Sequence, residues 1–356
     1  MNHSRWLTTI LAFFTTIGSA PCQQPVVQPP TPIQSLEATD LPLNYKGATG
    51  QLAEWLKGFD APPQKFSYTI QLLREDDKVR LYQLKFPSPF VSQWPENNVV
   101  PCELSLPKTI TGKIPAVVVL DILDGRAVFP RMMSRTFAEN GMAALYMSVA
   151  YYNDRRPKDK AHLKMLETNP ERITDGFRQS VMDVRRAKSI LASRSETDPR
   201  LLGITGVSLG GIITSLAAGV DGEFDRVVPI LAGGDLTEVV FCNSRETRRI
   251  RELMQRKNIG REQFTGIIAP VEPTNFASRI DAKRCLMINA RLDEVIPRAA
   301  TDSLYKAIGQ PRQFWTPLGH YTSALYLPLI LQSATDFLSG KEIKPITIDS
   351  PVPIAK

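Results

Sequence analysis

Gly206-Val207-Ser208-Leu209-Gly210-Gly211 reads as Gly-x-Ser-x-Gly with one more glycine behind it. Leu201-Leu202-Gly203-Ile204-Thr205 precedes it, a short apolar run launched from Asp198-Pro199-Arg200 and suited to a buried strand. The residues that follow, Ile212 to Val220, are small and apolar and suit a tightly packed helix. A sharp strand-to-helix turn strains the backbone at its tip. Gly206 and Gly210 lack a Cβ, so strand and helix can close on each other there. Ser208 is then expected at the tip with its hydroxyl presented as a nucleophile. A phosphate-cradling loop would carry Lys after its glycines, and Ile212 stands there instead.

Around this turn, strands alternate with helices. Ala116 to Leu120 is an unbroken apolar run, as expected of a strand covered on both faces. A helix is expected over about Pro130 to Asn140, stopped by Gly141, and then a strand over Met142 to Val149. Phe177, Val181, Val184, Ala187 and Leu191 fall at helical spacing. Further strands are expected at Arg226–Leu231, Cys285–Ala290 and Gln313–Thr316, with a closing helix from about Ser323 to Leu338. This rhythm predicts an α/β fold, a mostly parallel central sheet with helices on both faces. Before it, Tyr68 to Phe86 and Val99 to Leu106 read as antiparallel strands at a sheet edge, after a short helix around Leu52, Trp55, Leu56 and Phe59. Two stretches interrupt the alternation: residues 151–174, and residues 236–280 as a short insertion or cap with a helix over Arg245 to Lys257.

A serine hydroxyl is a weak nucleophile and needs a base, and the base needs an orienting acid. The chain has three histidines. His3 lies in the N-terminal run and His162 in a charged segment before the serine. His320 follows the last strand and gives the chain order serine, acid, histidine. Asp293 comes first after the Cys285–Ala290 strand and is the expected acid, with Glu294 beside it as the alternative. The oxyanion is expected to be held by the backbone N–H of Leu209 and by that of Ile122 or Leu123, in the loop after Ala116–Leu120.

The N-terminus is a separate object. Arg5 precedes an apolar run, Trp6 to Ile17, and then Gly18-Ser19-Ala20, the layout of an export signal over residues 1–20. Anchoring through a lipidated Cys22 is the alternative, and Pro21 spoils its pattern. Residues 21–45, rich in Pro and Gln, read as a linker, 46–340 as the folded domain and 341–356 as a tail. No other run is long enough for a membrane span. The four cysteines, Cys22, Cys102, Cys242 and Cys285, lack paired metal spacing and read as small apolar residues, with a disulfide of unspecified pairing as the alternative that export permits, and no metal or cofactor is expected. Net charge is +7, from 43 basic and 36 acidic residues spread along the chain, which does not demand a nucleic-acid partner. Tyr151, Tyr152, Arg155 and Arg156 follow the C-terminal end of a strand, where ligands bind in parallel sheets. They are read as pocket residues; Arg155 and Arg156, with Lys158 and Lys160, read as a solvated charged face or, alternatively, as a patch that draws an anionic substrate.

These stretches carry a resemblance. Residues 115–338 resemble the α/β-hydrolase superfamily, with Ser208, Asp293 and His320 where it keeps nucleophile, acid and base. Ile268 to Ala277 resembles the lead-in to the acid strand in dienelactone-hydrolase-like and acetyl-xylan-esterase-like members. Val149 to Pro157 is similar to the Pro-Tyr-Tyr-Gly-x-Arg-Lys/Arg-Pro signature of the abhydrolase-domain-containing-18-like branch, with Ala150 and Asn153 in place of its Pro and Gly. Asp121 stands where many members carry His, and Ser208 where dienelactone hydrolases carry Cys. The resemblance implies the α/β-hydrolase fold and ester hydrolysis. The expectation is an exported serine carboxylester hydrolase acting on a small-molecule ester. An acyltransferase using the same three residues, or a non-catalytic binding protein on this scaffold, are the alternatives.

Overall fold

The computed structural model describes residues 31–123, 126–158, 164–166 and 169–341. The N-terminal run, Cys22, Lys160, His162 and the segment from 342 onward lie outside them. Among the described residues, ten strands form one sheet in the order β1-β2-β3-β4-β6-β5-β7-β8-β9-β10. The first four, β1 (Gln34–Thr39), β2 (Lys65–Glu75), β3 (Val79–Pro87) and β4 (Val99–Pro107), pair antiparallel, and β4 joins β6 antiparallel. From β6 onward every pairing is parallel: β6 (Ala143–Met147), β5 (Ile114–Leu120), β7 (Thr197–Val207), β8 (Arg226–Ile230), β9 (Leu286–Ala290) and β10 (Arg312–Thr316).

Strand β5 shows why the parallel half must be covered on both sides. Ala116, Val118 and Leu120 enter one apolar core, while Val117 and Val119 enter the other. Side chains alternate along a strand, so an all-apolar strand has to be buried twice. Helices α1 (Gly50–Lys57), α3 (Pro170–Ser193) and α4 (Leu209–Asp221) supply the first core with Leu56, Phe177, Val181, Ile213 and Leu216. Helices α2 (Val128–Glu139) and α9 (Leu327–Leu338) supply the second with Met133, Phe137, Ile330 and Phe337. Between β8 and β9 lie α5 (Leu236–Phe241), α6 (Arg248–Arg256) and α7 (Arg261–Ile268), and α8 (Arg298–Ile308) follows β9. Helix α6 buries Ile250, Leu253 and Met254, as their spacing predicts.

One segment differs from its sequence reading. Residues 34–39, inside the expected linker, form the edge strand β1, paired with β2 from Gln34–Ile70 to Thr39–Lys65. Its only buried side chain is that of Ala38, so the period-two signal that marks a half-buried strand is missing. The strand is fastened from behind by polar groups instead. Arg186 of α3 donates from Nε to Asp40 Oδ1 at 2.8 Å, and the Leu41 N–H donates to Ser189 Oγ at 2.9 Å.

Candidate active site

The elements that meet at the site leave the sheet on one side. Ser208 follows β7, Asp293 follows β9, His320 follows β10 and Asp121 follows β5, and all four strands run parallel. Parallel strands present their C-terminal ends together, which is where open α/β sheets place their crevice.

Ser208 sits at φ 56°, ψ −117°, a conformation that costs a residue with a Cβ about 1–3 kcal/mol. The turn is held from both sides. The Ser208 N–H donates to Ile230 O at 2.8 Å, and its carbonyl accepts from the Ile212 N–H at 2.9 Å. The glycines do what the sequence asks of them. A Cβ on Gly206 would come 2.5 Å from Gly210 O, and one on Gly210 would come 2.5 Å from Asp121 O.

His320 Nε2 lies 3.0 Å from Ser208 Oγ, and His320 Nδ1 lies 3.0 and 2.9 Å from the two carboxylate oxygens of Asp293. With both Asp293 oxygens as acceptors, Nδ1 carries the proton and Nε2 is left as the acceptor facing the serine. Asp293 is itself fixed, because its Oδ1 also accepts from the N–H groups of Val295 at 2.8 Å and Ile296 at 2.7 Å. The His320 and Asp293 side chains are 8% and 6% exposed, so their contact sits largely out of water. Glu294 does not reach the ring. Its Oε2 accepts from the His320 backbone N–H at 2.9 Å.

Leu209 opens α4, so its N–H has no carbonyl partner within the helix. Of the two expected partners in the oxyanion loop, Ile122 is already engaged, its N–H donating to Asp121 Oδ1 at 2.8 Å. Leu123 is left as the candidate of the two. Asp121 Oδ2 accepts from the Ala127 N–H at 2.8 Å, so one buried carboxylate ties both ends of this loop. Burial pushes the Asp121 carboxyl up, against the pull of those two N–H groups and the Asn153 side chain. The side chain in the usual His position thus works as a loop staple. Only its unusual chemistry for that place signals it in the sequence.

Three of the four residues read as a pocket are buried. Tyr151 and Tyr152 are buried in the main apolar core. Arg155 is fully buried and faces Asp183 of α3 at 2.7 Å. Its Nη2 donates to Asn97 O at 2.7 Å and its Nη1 to Ser148 O at 3.0 Å. Arg156 is half-buried. Arg155 therefore does not attract a soluble anion; the chain turns it inward through Tyr151 and Asn153, both at positive φ. A run of basic residues gives no sign of this, because α3 supplies the partner from about thirty residues away. Cys102 and Cys285 are buried and Cys242 is half-buried, all three unpaired. Among the described residues, no cluster of His, Cys, Asp and Glu has the arrangement of a metal site.

A groove of about 560 Å³ lies on the antiparallel half, lined by Leu73, Leu81, Met132 and Tyr146 among others. None of Ser208, Asp293 and His320 borders it. Two of its three arginines are paired, Arg131 with Glu103 and Arg135 with Asp76, both at 2.6 Å.

A model of the family alpha/beta hydrolase domain containing 18 matches residues 47–250, more than half of the chain. The chain belongs to this family. The matched span holds Ser208 and the Val149–Pro157 signature, and ends before Asp293 and His320. An uncharacterized protein of Mycobacterium tuberculosis is 30% identical over 148 residues, which is 41% of this chain and 34% of that protein. The chain thus aligns with about a third of the length of the curated relative it matches. Among solved structures, an acetyl xylan esterase from Paenibacillus sp. R4 has a TM-score of 0.61 at 19% identity, over 75% of this chain and 89% of that one. Acetyl xylan esterase 1 from Thermoanaerobacterium sp. JW/SL YS485 has a TM-score of 0.56 at 18% identity, over 78% and 92%. At these identities they share the fold of this alpha/beta hydrolase domain containing 18 member.

Proposed function

We propose that this family member is an exported serine hydrolase that cleaves carboxylic esters. The observation that carries this reading is the continuous contact from Ser208 Oγ through His320 to Asp293, with the serine held in a strained turn. In the proposed reaction His320 Nε2 takes the Ser208 proton as Oγ attacks the ester carbonyl carbon. The carbonyl oxygen becomes an oxyanion, held by the N–H groups of Leu209 and Leu123. Collapse breaks the ester C–O bond, and the leaving alkoxide takes the proton from the imidazolium. Water then adds to the acyl-enzyme by the same steps, releasing the acid and restoring Ser208. Asp293 keeps the imidazole in the tautomer that makes Nε2 the base and stabilises the imidazolium.

Ser208 and His320 are each 9% exposed, which supports a small reacting group at the serine. A short acyl chain fits this, as does the fold shared with acetyl xylan esterases. Export rests on the N-terminal run, which lies outside the described residues; no helix among those residues is long and apolar enough to cross a membrane. The test is labelling by a fluorophosphonate and turnover of p-nitrophenyl acetate. Both are expected in the wild type and absent in Ser208→Ala. Wild-type turnover retained in Ser208→Ala would end the assignment.

A further inference from the structure

Asp293 and Glu294 are adjacent acids that both reach His320, at different places. Asp293 takes the ring through Nδ1, and Glu294 takes the main chain through the His320 N–H at 2.9 Å. Both acids lie in the bend that follows β9, so for both to meet one histidine the histidine loop has to lie against the acid loop. It does: the Arg291 N–H donates to Thr316 O at 2.9 Å and the Leu292 N–H to Leu318 O at 3.0 Å. The wrap is tight at Gly319. A Cβ there would come 2.4 Å from Glu294 Oε2 and 3.1 Å from Leu292 O, so the carboxylate can nest against the loop only over a residue with no side chain.

We propose that Glu294 is a positioning residue for His320. It fixes where the imidazole is mounted, while Asp293 fixes how the ring is turned. The inference rests on the serine-hydrolase reading, since it assigns Glu294 a part in that reaction. A base that must lie within hydrogen-bond reach of Oγ is sensitive to small displacements. An anchor on the residue's own N–H limits the motion of its Cα, which the ring contact alone does not. Glu294 is exposed, so water competes for this bond, and its loss is expected to loosen the loop without unfolding it. What matters is the accepting oxygen rather than the charge, so a glutamine serves.

The test compares the full-length wild type with Glu294→Ala, Glu294→Gln, Gly319→Ala and the Glu294→Ala, Gly319→Ala double variant, with Ser208→Ala as the control. The readouts are fluorophosphonate labelling rate, kcat and KM on p-nitrophenyl acetate, melting temperature, and the downfield proton NMR signal of His320 Nδ1–H. Glu294→Ala is expected to slow labelling and kcat by about tenfold, with KM and melting temperature little changed. Its Nδ1 proton signal should broaden through faster exchange. Glu294→Gln should stay within about twofold of the wild type and keep the signal. Gly319→Ala, which pushes the carboxylate off, should match Glu294→Ala, and the double variant should cost no more than either change alone. Wild-type labelling by Glu294→Ala would overturn the inference, as would a Glu294→Gln variant as slow as Glu294→Ala. If the wild type is not labelled, or Ser208→Ala is labelled equally well, the serine-hydrolase reading fails, and this inference fails with it. Labelling that depends on Ser208 but is indifferent to Glu294 sinks the inference alone.

Discussion

Arg155 and Asp183 face each other at 2.7 Å with neither side chain exposed to solvent. Removing one partner leaves a charge stranded in the interior, whereas removing both does not. Arg155→Met is expected to destabilise the protein by about 3–5 kcal/mol in chemical denaturation. Arg155→Met with Asp183→Leu should recover part of that loss. Recovery stays partial because Arg155 also donates to the Ser148 carbonyl, which loses that donor in the double variant, whereas the Asn97 carbonyl keeps Gln179 Nε2 at 3.1 Å. A double variant no more stable than Arg155→Met would mean that those carbonyl contacts, not the charge pair, dominate.

The strained conformation of Ser208 predicts an inverse relation between activity and stability at that position. At φ 56° a glycine avoids the Cβ clash that serine and alanine both suffer. Ser208→Gly and Ser208→Ala should both be inactive. Ser208→Gly should be more stable than Ser208→Ala by about 1 kcal/mol, the relieved strain minus the entropy that glycine gains in the unfolded chain. Thermal melts of the two variants check this, and a less stable Ser208→Gly would contradict it.

Gly210 packs the turn at Ser208 against the end of β5. An added Cβ would meet the Asp121 carbonyl at 2.5 Å and the Leu120 carbonyl at 2.9 Å, both backbone atoms that cannot swing away. Gly210→Ala should therefore destabilise by about 1–3 kcal/mol and lower kcat together, since the same displacement moves the oxyanion loop. Unchanged kcat at lowered stability would show that the loop tolerates the shift.

If the export reading holds, the mature chain begins after the apolar run. Mass spectrometry of the extracytoplasmic form should show residues 1–20 missing. An intact Met1 on a cytoplasmic pool would count against export.

The parallel half of the fold is legible in the sequence because its signals are local. A strand buried on both faces reads as Ala116-Val-Val-Val-Leu120, and the turn reads as three glycines around a serine. The approach of Ser208, Asp293 and His320 is legible through strand order, because each follows a strand of the same parallel set. What is not legible depends on partners distant in sequence. Strand β1 is nearly all exposed and is fixed by Arg186 and Ser189. Arg155 is inward because Asp183 waits in α3. The Ile122 N–H is engaged by the side chain of the residue before it. Glu294 reads in the sequence as a rival for the ring, and its bond to the His320 backbone emerges only once Gly319 is seen to make room for it.

Asp293 makes the sharpest prediction, because its two oxygens have distinct duties. Oδ1 accepts from the Val295 and Ile296 N–H groups as well as lying 3.0 Å from His320 Nδ1, while Oδ2 lies 2.9 Å from Nδ1. In Asp293→Asn the amide must keep its oxygen on the two backbone N–H groups, since its NH2 group cannot accept from them. The NH2 group then takes the place of Oδ2 and points a donor at Nδ1. The imidazole has to answer with an acceptor there, which moves its proton to Nε2, the atom that must accept from Ser208. The side chain's shape and backbone bonds survive, so the melting temperature should barely move. Turnover should fall on the order of ten-thousand-fold, the size of loss that the same change causes in a serine protease through the same wrong tautomer. Glu294→Gln keeps its acceptor oxygen and should cost little on the same ester. Equal losses from the two changes would mean that both acids serve the ring, and a larger loss from Glu294→Gln would reverse their roles.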